Sequence, residues 1–140
     1  MTRDETIKVL AVLKAAFPAS YRNMTRDEAN GTVMIWATQF AADPVQVVMM
    51  AVQKLIATSQ FPPSIAEVKS KLHSLYWEAE GKLLVHQNGN VQMGEEELKS
   101  VTAIRDACSK YNRASSKEPT LEELIGGVKN YITDGSDSRG

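Results

Sequence analysis

The chain predicts an all-α protein, a small helical bundle followed by a looser helical C-terminal appendage. Three observations carry this. Four helix-start signatures fall within the first eighty residues, apolar side chains follow each at spacings of three and four, and proline and glycine gather mainly between those segments. A capping side chain matters because the first turn of a helix leaves backbone N–H groups without partners, and a Ser, Thr or Asp oxygen placed just ahead can accept one of them.

The first helix opens at Thr2 with Glu5 in capping-box spacing, ahead of Ile7, Leu10, Leu13 and Phe17 on one face, and Pro18 ends it. Met-Thr-Arg-Asp-Glu recurs at 24–28, so Thr25 and Glu28 repeat the box before Ala29, Val33, Trp36 and Phe40. The residues that follow the two copies differ, so this is a reused cap rather than a structural repeat. Gly31, inside the second helix, costs about 1 kcal/mol relative to Ala, which argues for a close packing contact or a weak first turn.

Asp43-Pro44 opens the third helix, with Asp as N-cap and Pro at the first helical position, leading into Val47, Val48, Ala51, Val52, Leu55 and Ile56. Apolar on more than one side, this segment is the central helix of the bundle. Phe61-Pro62-Pro63 forms a stiff extended connector. Ser64 and Glu67 then cap a fourth helix carrying Ile65, Val68, Leu72, Leu75 and Tyr76 and ending near Gly81.

Residues 1–80 thus form the helical bundle domain, and 81–140 the C-terminal region. Over 83–93, Asn88-Gly89 between two apolar stretches suits either a short hairpin or an irregular loop. A fifth helix follows over 95–111, with Leu98, Val101, Ile104, Cys108 and Tyr111 in register and acids at its positive end. A polar linker (112–118), a short helix over 120–132 capped by Thr120 and Glu123, and a disordered tail complete the chain.

Composition narrows the function. Of 140 residues, 43% are hydrophobic and 24% charged, the balance of a chain with a core. Cys108 is the single cysteine, so neither an internal disulfide nor a multi-thiolate zinc site can form. The net charge of −1 is spread evenly along the chain, which supplies no cationic block for strong phosphate-backbone binding. No apolar run reaches the roughly 20 residues that span a bilayer, and the acidic start is unlike a secretory signal, so cytoplasmic residence is expected.

Candidate chemistry is sparse, and no catalytic, cofactor-binding or metal site is expected. His73 and His86 have no carboxylate at an orienting spacing, Cys108 lies on an apolar helical face, and Gly126-Gly127 lacks the residues of a phosphate loop. Glu95, Glu96 and Glu97 suit a helix first turn better than a cation site. Trp36 and Phe40, four apart, would suit base stacking, but their register with Ala29 and Val33 assigns them to the core.

Ala16-Phe17-Pro18 with Tyr21, then Trp36 and Phe40, Asp43-Pro44-Val45, the helix from Val48 to Ile56, and Phe61-Pro62-Pro63-Ser64-Ile65-Ala66-Glu67-Val68 follow one another in an order that resembles the phage replicative helicase loader/inhibitor family over roughly residues 1–75. The resemblance implies a helical N-terminal domain and a C-terminal segment that engages the host's DnaB-type hexameric replicative helicase. It further implies that the helicase is held inactive until a phage origin-binding initiator receives it, with no enzymatic activity in the protein itself. The C-terminal portion departs from the family pattern in being longer and in holding two helices.

Independently of the resemblance, Leu121, Leu124, Ile125 and Val128 make an amphipathic segment behind a linker. They are the candidate partner-binding residues; docking on the chain's own bundle is the alternative. Two other function classes fit the composition. One is a nucleic-acid-binding replication accessory using Arg3, Lys8, Lys14, Arg22 and Arg26, and the other is a small helical virion assembly protein.

Overall fold

The computed structural model describes residues 1–114. They form six helices and no strand: α1 (Arg3–Ala16), α2 (Pro18–Tyr21), α3 (Arg26–Gln39), α4 (Val45–Thr58), α5 (Ile65–Gln87) and α6 (Glu95–Ala114). The helix expected over 120–132 and the tail beyond it lie outside the described residues. The chain divides into two compact units, one of Met1–Lys71 and one beginning at Leu72, so the division falls within α5.

All three capping boxes of this region form. Glu5 N–H donates to Thr2 Oγ1 (3.1 Å) while Thr2 N–H donates to Glu5 Oε1 (2.8 Å). The pairs Thr25/Glu28 and Ser64/Glu67 repeat the pattern at 2.8–3.1 Å. Each box satisfies two donors that the helix leaves orphaned, so these starts are specified locally.

In the first unit α1 packs on both α3 and α4. Its buried face is Thr6, Val9 and Leu13, whereas the expected face began at Ile7, which is 40% exposed, and ran through Leu10 and Phe17, which are half-buried. The face is rotated because Thr6 can be buried without loss: its hydroxyl donates to the Thr2 carbonyl at 2.8 Å. With Thr6 inside, positions 6, 9 and 13 form one stripe and Ile7 turns outward. Trp36, Phe40, Val47, Val48, Ala51, Val52 and Val68 complete the apolar interior, with the Trp36 and Phe40 rings 5.5 Å apart.

The turn from α3 to α4 is tied to the first residue. The buried Met1 ammonium donates to the carbonyls of Phe40 (2.8 Å), Ala41 (3.3 Å) and Asp43. Two boundaries differ from expectation. Pro18 does not merely end α1; it opens the single turn α2, where its missing N–H costs nothing. Pro44 is the N-cap of α4, and Asp43, expected at that position, is buried one residue earlier with its carbonyl turned to the Met1 ammonium.

In the second unit, residues 83–87 continue α5 instead of forming a hairpin or loop, and the end near Gly81 does not occur. The Asn88-Gly89 pair is a helix C-cap. Gly89 has φ +77°, its N–H donates to the His86 carbonyl (3.0 Å), and Asn90 N–H donates to the Val85 carbonyl (3.2 Å). This is the Schellman arrangement, which uses the same left-handed glycine that a tight hairpin turn would have used. Ala79, Leu83 and Val101 form a buried cluster against which Met93, Leu98 and Ile104 pack, so α6 buries the stripe its spacing predicts.

Gly31 has no packing duty. A Cβ built on it meets nothing within 4 Å, so the contact considered for it is absent. Gly31→Ala is therefore expected to stabilise the protein by up to about 1 kcal/mol. Gly89→Ala should destabilise it by about 1–2 kcal/mol, because an L side chain is strained at that φ. Urea unfolding followed by circular dichroism reads both signs.

Candidate partner-binding surface

His73, His86 and Cys108 each have a structural contact or a place in the core. Trp77 Nε1–H donates to His73 Nε2 at 2.9 Å one turn away on α5, so that nitrogen serves a largely buried indole. His86 Nδ1 accepts from Met93 N–H at 3.3 Å and lies 3.3 Å from the Val91 carbonyl, bracing the chain between α5 and α6. Cys108 is fully buried on α6. Glu95, Glu96 and Glu97 are exposed in the first turn of α6. Among the described residues no group of three or more His, Cys, Asp or Glu side chains could hold a metal ion.

Trp36 is 7% exposed and Phe40 fully buried, so neither offers a face to a base. Burial also pushes the Tyr21 phenol above its ordinary range, keeping it protonated. Arg3, Lys8, Lys14, Arg22 and Arg26 are all exposed. No helix among the described residues is long and apolar enough to cross a membrane.

In the first unit Phe61 (72% exposed), Met34 (64%) and Ile35 (56%) face solvent. Ile35 and Gly31 line an open groove together with Ala19, Ser20, Asn23, Met24, Glu28 and Thr32, which belong to α2, α3 and the chain between them. In the second unit Leu84 and Val85 near the end of α5 and Val91 beyond it are exposed, and Leu84 also lines a recess with Glu80 and Arg105, an ion pair at 3.5 Å. Single exposed apolar residues are ordinary, and a backbone can be held in place outside a helix as well as within one.

Phe61 is held in that way. α4 closes at Ser59, whose hydroxyl donates to the Phe61 carbonyl (2.9 Å) and accepts from Phe61 N–H (3.3 Å). Pro62 is half-buried and Pro63 buried. The sequence shows the stiffness of this connector but not the outward display of its ring, because period counting assigns no face to a residue outside a helix. The expected partner-binding residues Leu121, Leu124, Ile125 and Val128 lie outside the described residues.

Residues 1–69 match the family model for the N-terminal domain of the phage helicase loader/inhibitor protein. No curated protein and no solved structure matches the chain at a significant level.

Because His73 serves the Trp77 indole, His73→Ala strands that N–H and should cost about 1–3 kcal/mol. His73→Gln, which keeps an acceptor, should recover part of that loss. Thermal unfolding followed by tryptophan fluorescence measures both; a His73→Ala protein as stable as the parent would remove this role.

Proposed function

We propose, from the premise that residues 1–69 are a phage helicase loader/inhibitor N-terminal domain, that this protein is a non-enzymatic adaptor for a hexameric DnaB-type replicative helicase of the host. It binds the helicase, restrains it, and delivers it to a phage replication origin, where an origin-binding initiator takes it over. Its place of action is the host cytoplasm.

The family match is the observation that carries this reading. The engagement of His73 and His86 in hydrogen bonds and of Cys108 in the core is in keeping with a binding role. The reading is supported also by Leu121, Leu124, Ile125 and Val128, whose spacing of three and four is that of an amphipathic helix laid in a partner's groove. In this reading the segment around 120–132 makes the helicase contact, and the first unit is a separately folded body that it tethers.

Deleting residues 119–140 should leave the circular dichroism and unfolding of the remaining chain nearly unchanged and abolish capture of the purified helicase in a pull-down. Capture at full strength by the truncated protein would show that the contact lies elsewhere.

A further inference from the structure

We propose that the α-amine of Met1 is a modification-sensitive pin: left free, it closes the α3–α4 turn and is shielded from acylation, whereas an acyl group on it, removal of Met1, or a residue joined ahead of Met1 opens the turn. Nothing in this depends on which partner the protein binds.

Three acceptors meet on one nitrogen. The Phe40 carbonyl lies 2.8 Å from it and the Ala41 carbonyl 3.3 Å, and the Asp43 carbonyl completes the set. An ammonium has three N–H donors and a charge, which matches three carbonyls; an acylated or peptide nitrogen has one donor and no charge. Met1 is 8% exposed, Phe40 fully buried and Asp43 2% exposed, so water is poorly placed to take over as donor.

The pinned turn is a joint of the first unit. Phe40 ends α3 with its N–H on the Trp36 carbonyl (3.0 Å), and its own carbonyl also accepts from Asp43 N–H (3.0 Å). The Phe40 ring packs 5.5 Å from the Trp36 ring in the core. Lys69 of α5 reaches Gln39, the last residue of α3, at 2.8 Å. Loss of the ammonium is therefore felt where α3, α4 and α5 meet.

The next residue cannot repair the loss of Met1. Thr2 N–H already donates to Glu5 Oε1 (2.8 Å), and the Thr2 carbonyl accepts from the Thr6 N–H (2.9 Å) and hydroxyl (2.8 Å). Hydrolysis of the Met1–Thr2 bond would release methionine and leave the new ammonium on a nitrogen held in the α1 capping box, one residue, or about 3.8 Å of chain, short of the turn. Acylation meets the opposite obstacle. The ammonium must first give up a proton, and its nitrogen must then attack an acyl carbon, forming the N–C bond as the leaving group departs with its electron pair. A nitrogen enclosed by three carbonyls is available for neither step until the turn opens.

Two measurements test the pin. In the first, the full-length chain beginning at Met1 is treated with a limiting amount of an amine-acylating reagent, native and in urea, and its peptides are read by mass spectrometry. The Met1 amine should react at least roughly tenfold more slowly in the native chain, and the exposed Lys8 and Lys14 amines should change by no more than about twofold. Native Met1 reacting at its urea rate overturns the proposal. In the second, urea unfolding of that chain is compared with a chain carrying one glycine ahead of Met1 and with a chain lacking Met1. The added glycine keeps a terminal ammonium and the Met1 side chain and displaces only the amine, which separates the pin from plain burial of a methionine. Both altered chains should show an unfolding constant raised roughly tenfold or more, as loss of buried charge-assisted hydrogen bonds produces, and an altered chain that does not fold agrees with this. A glycine-extended chain with the parent's unfolding midpoint overturns the proposal.

Discussion

Burial of Thr6, Val9 and Leu13 on one side of α1 is the constraint on which the first unit depends, because α1 packs on both α3 and α4. Removing those three side chains from water is worth several kcal/mol at the usual figure of about 25 cal/mol per Å², a large part of a small domain's net stability. The same contacts determine which residues stay outside. Once Val9 and Leu13 face inward, Ile7 must face solvent. Once Trp36 and Phe40 face inward on α3, Met34 and Ile35 fall toward the other side, because at about 100° per residue position 34 lies about 160° around the helix from 36 and position 35 about 140° from 40. The outer apolar surface is therefore a consequence of how the core is filled.

Polar interactions then fix the joints. The Met1 ammonium gathers three carbonyls of the α3–α4 turn, and the Lys69 ammonium donates to Gln39 Oε1 (2.8 Å) while lying 5.7 Å from the centre of the Phe40 ring. These contacts bring the start of the chain, the end of α3 and the start of α5 to the same few residues, 39–43. The packing order of the unit is thereby specified by direction-sensitive hydrogen bonds as well as by apolar area, which is non-directional.

Much of this is legible in the sequence where the signal is local. The capping boxes at Thr2, Thr25 and Ser64, the core register of Trp36 and Phe40, and the buried stripe of α6 through Val101 and Cys108 all follow from spacings within one helix. Sequence and structure part where one residue type serves two geometries. Gly89 adopts a left-handed φ in a Schellman cap as readily as in a hairpin turn, and the choice is made by whether residues 83–87 can bury Leu83 against α6. Thr6 reads as polar and hence outward, although a hydroxyl bonded to its own helix can be buried. The partner-binding segment expected at 121–128 from its period lies outside the described residues. The display of Phe61 is not legible in the sequence, since it depends on the Ser59 bracket and on a proline that the fold buries.

The N-terminal 69 residues match a helicase loader/inhibitor domain, and the function proposed on that ground is the holding of another machine. Such holding needs two properties: contacts strong enough to capture the ring, and an effect on what the ring does while captured. The most direct measurement mixes the purified full-length protein with the host's hexameric replicative helicase and follows both the mass of the complex and the ATPase rate. The proposed function predicts that the protein elutes with the helicase ring and that ATP turnover falls as it is added. Separate elution with unchanged turnover across a range of protein concentrations would contradict it.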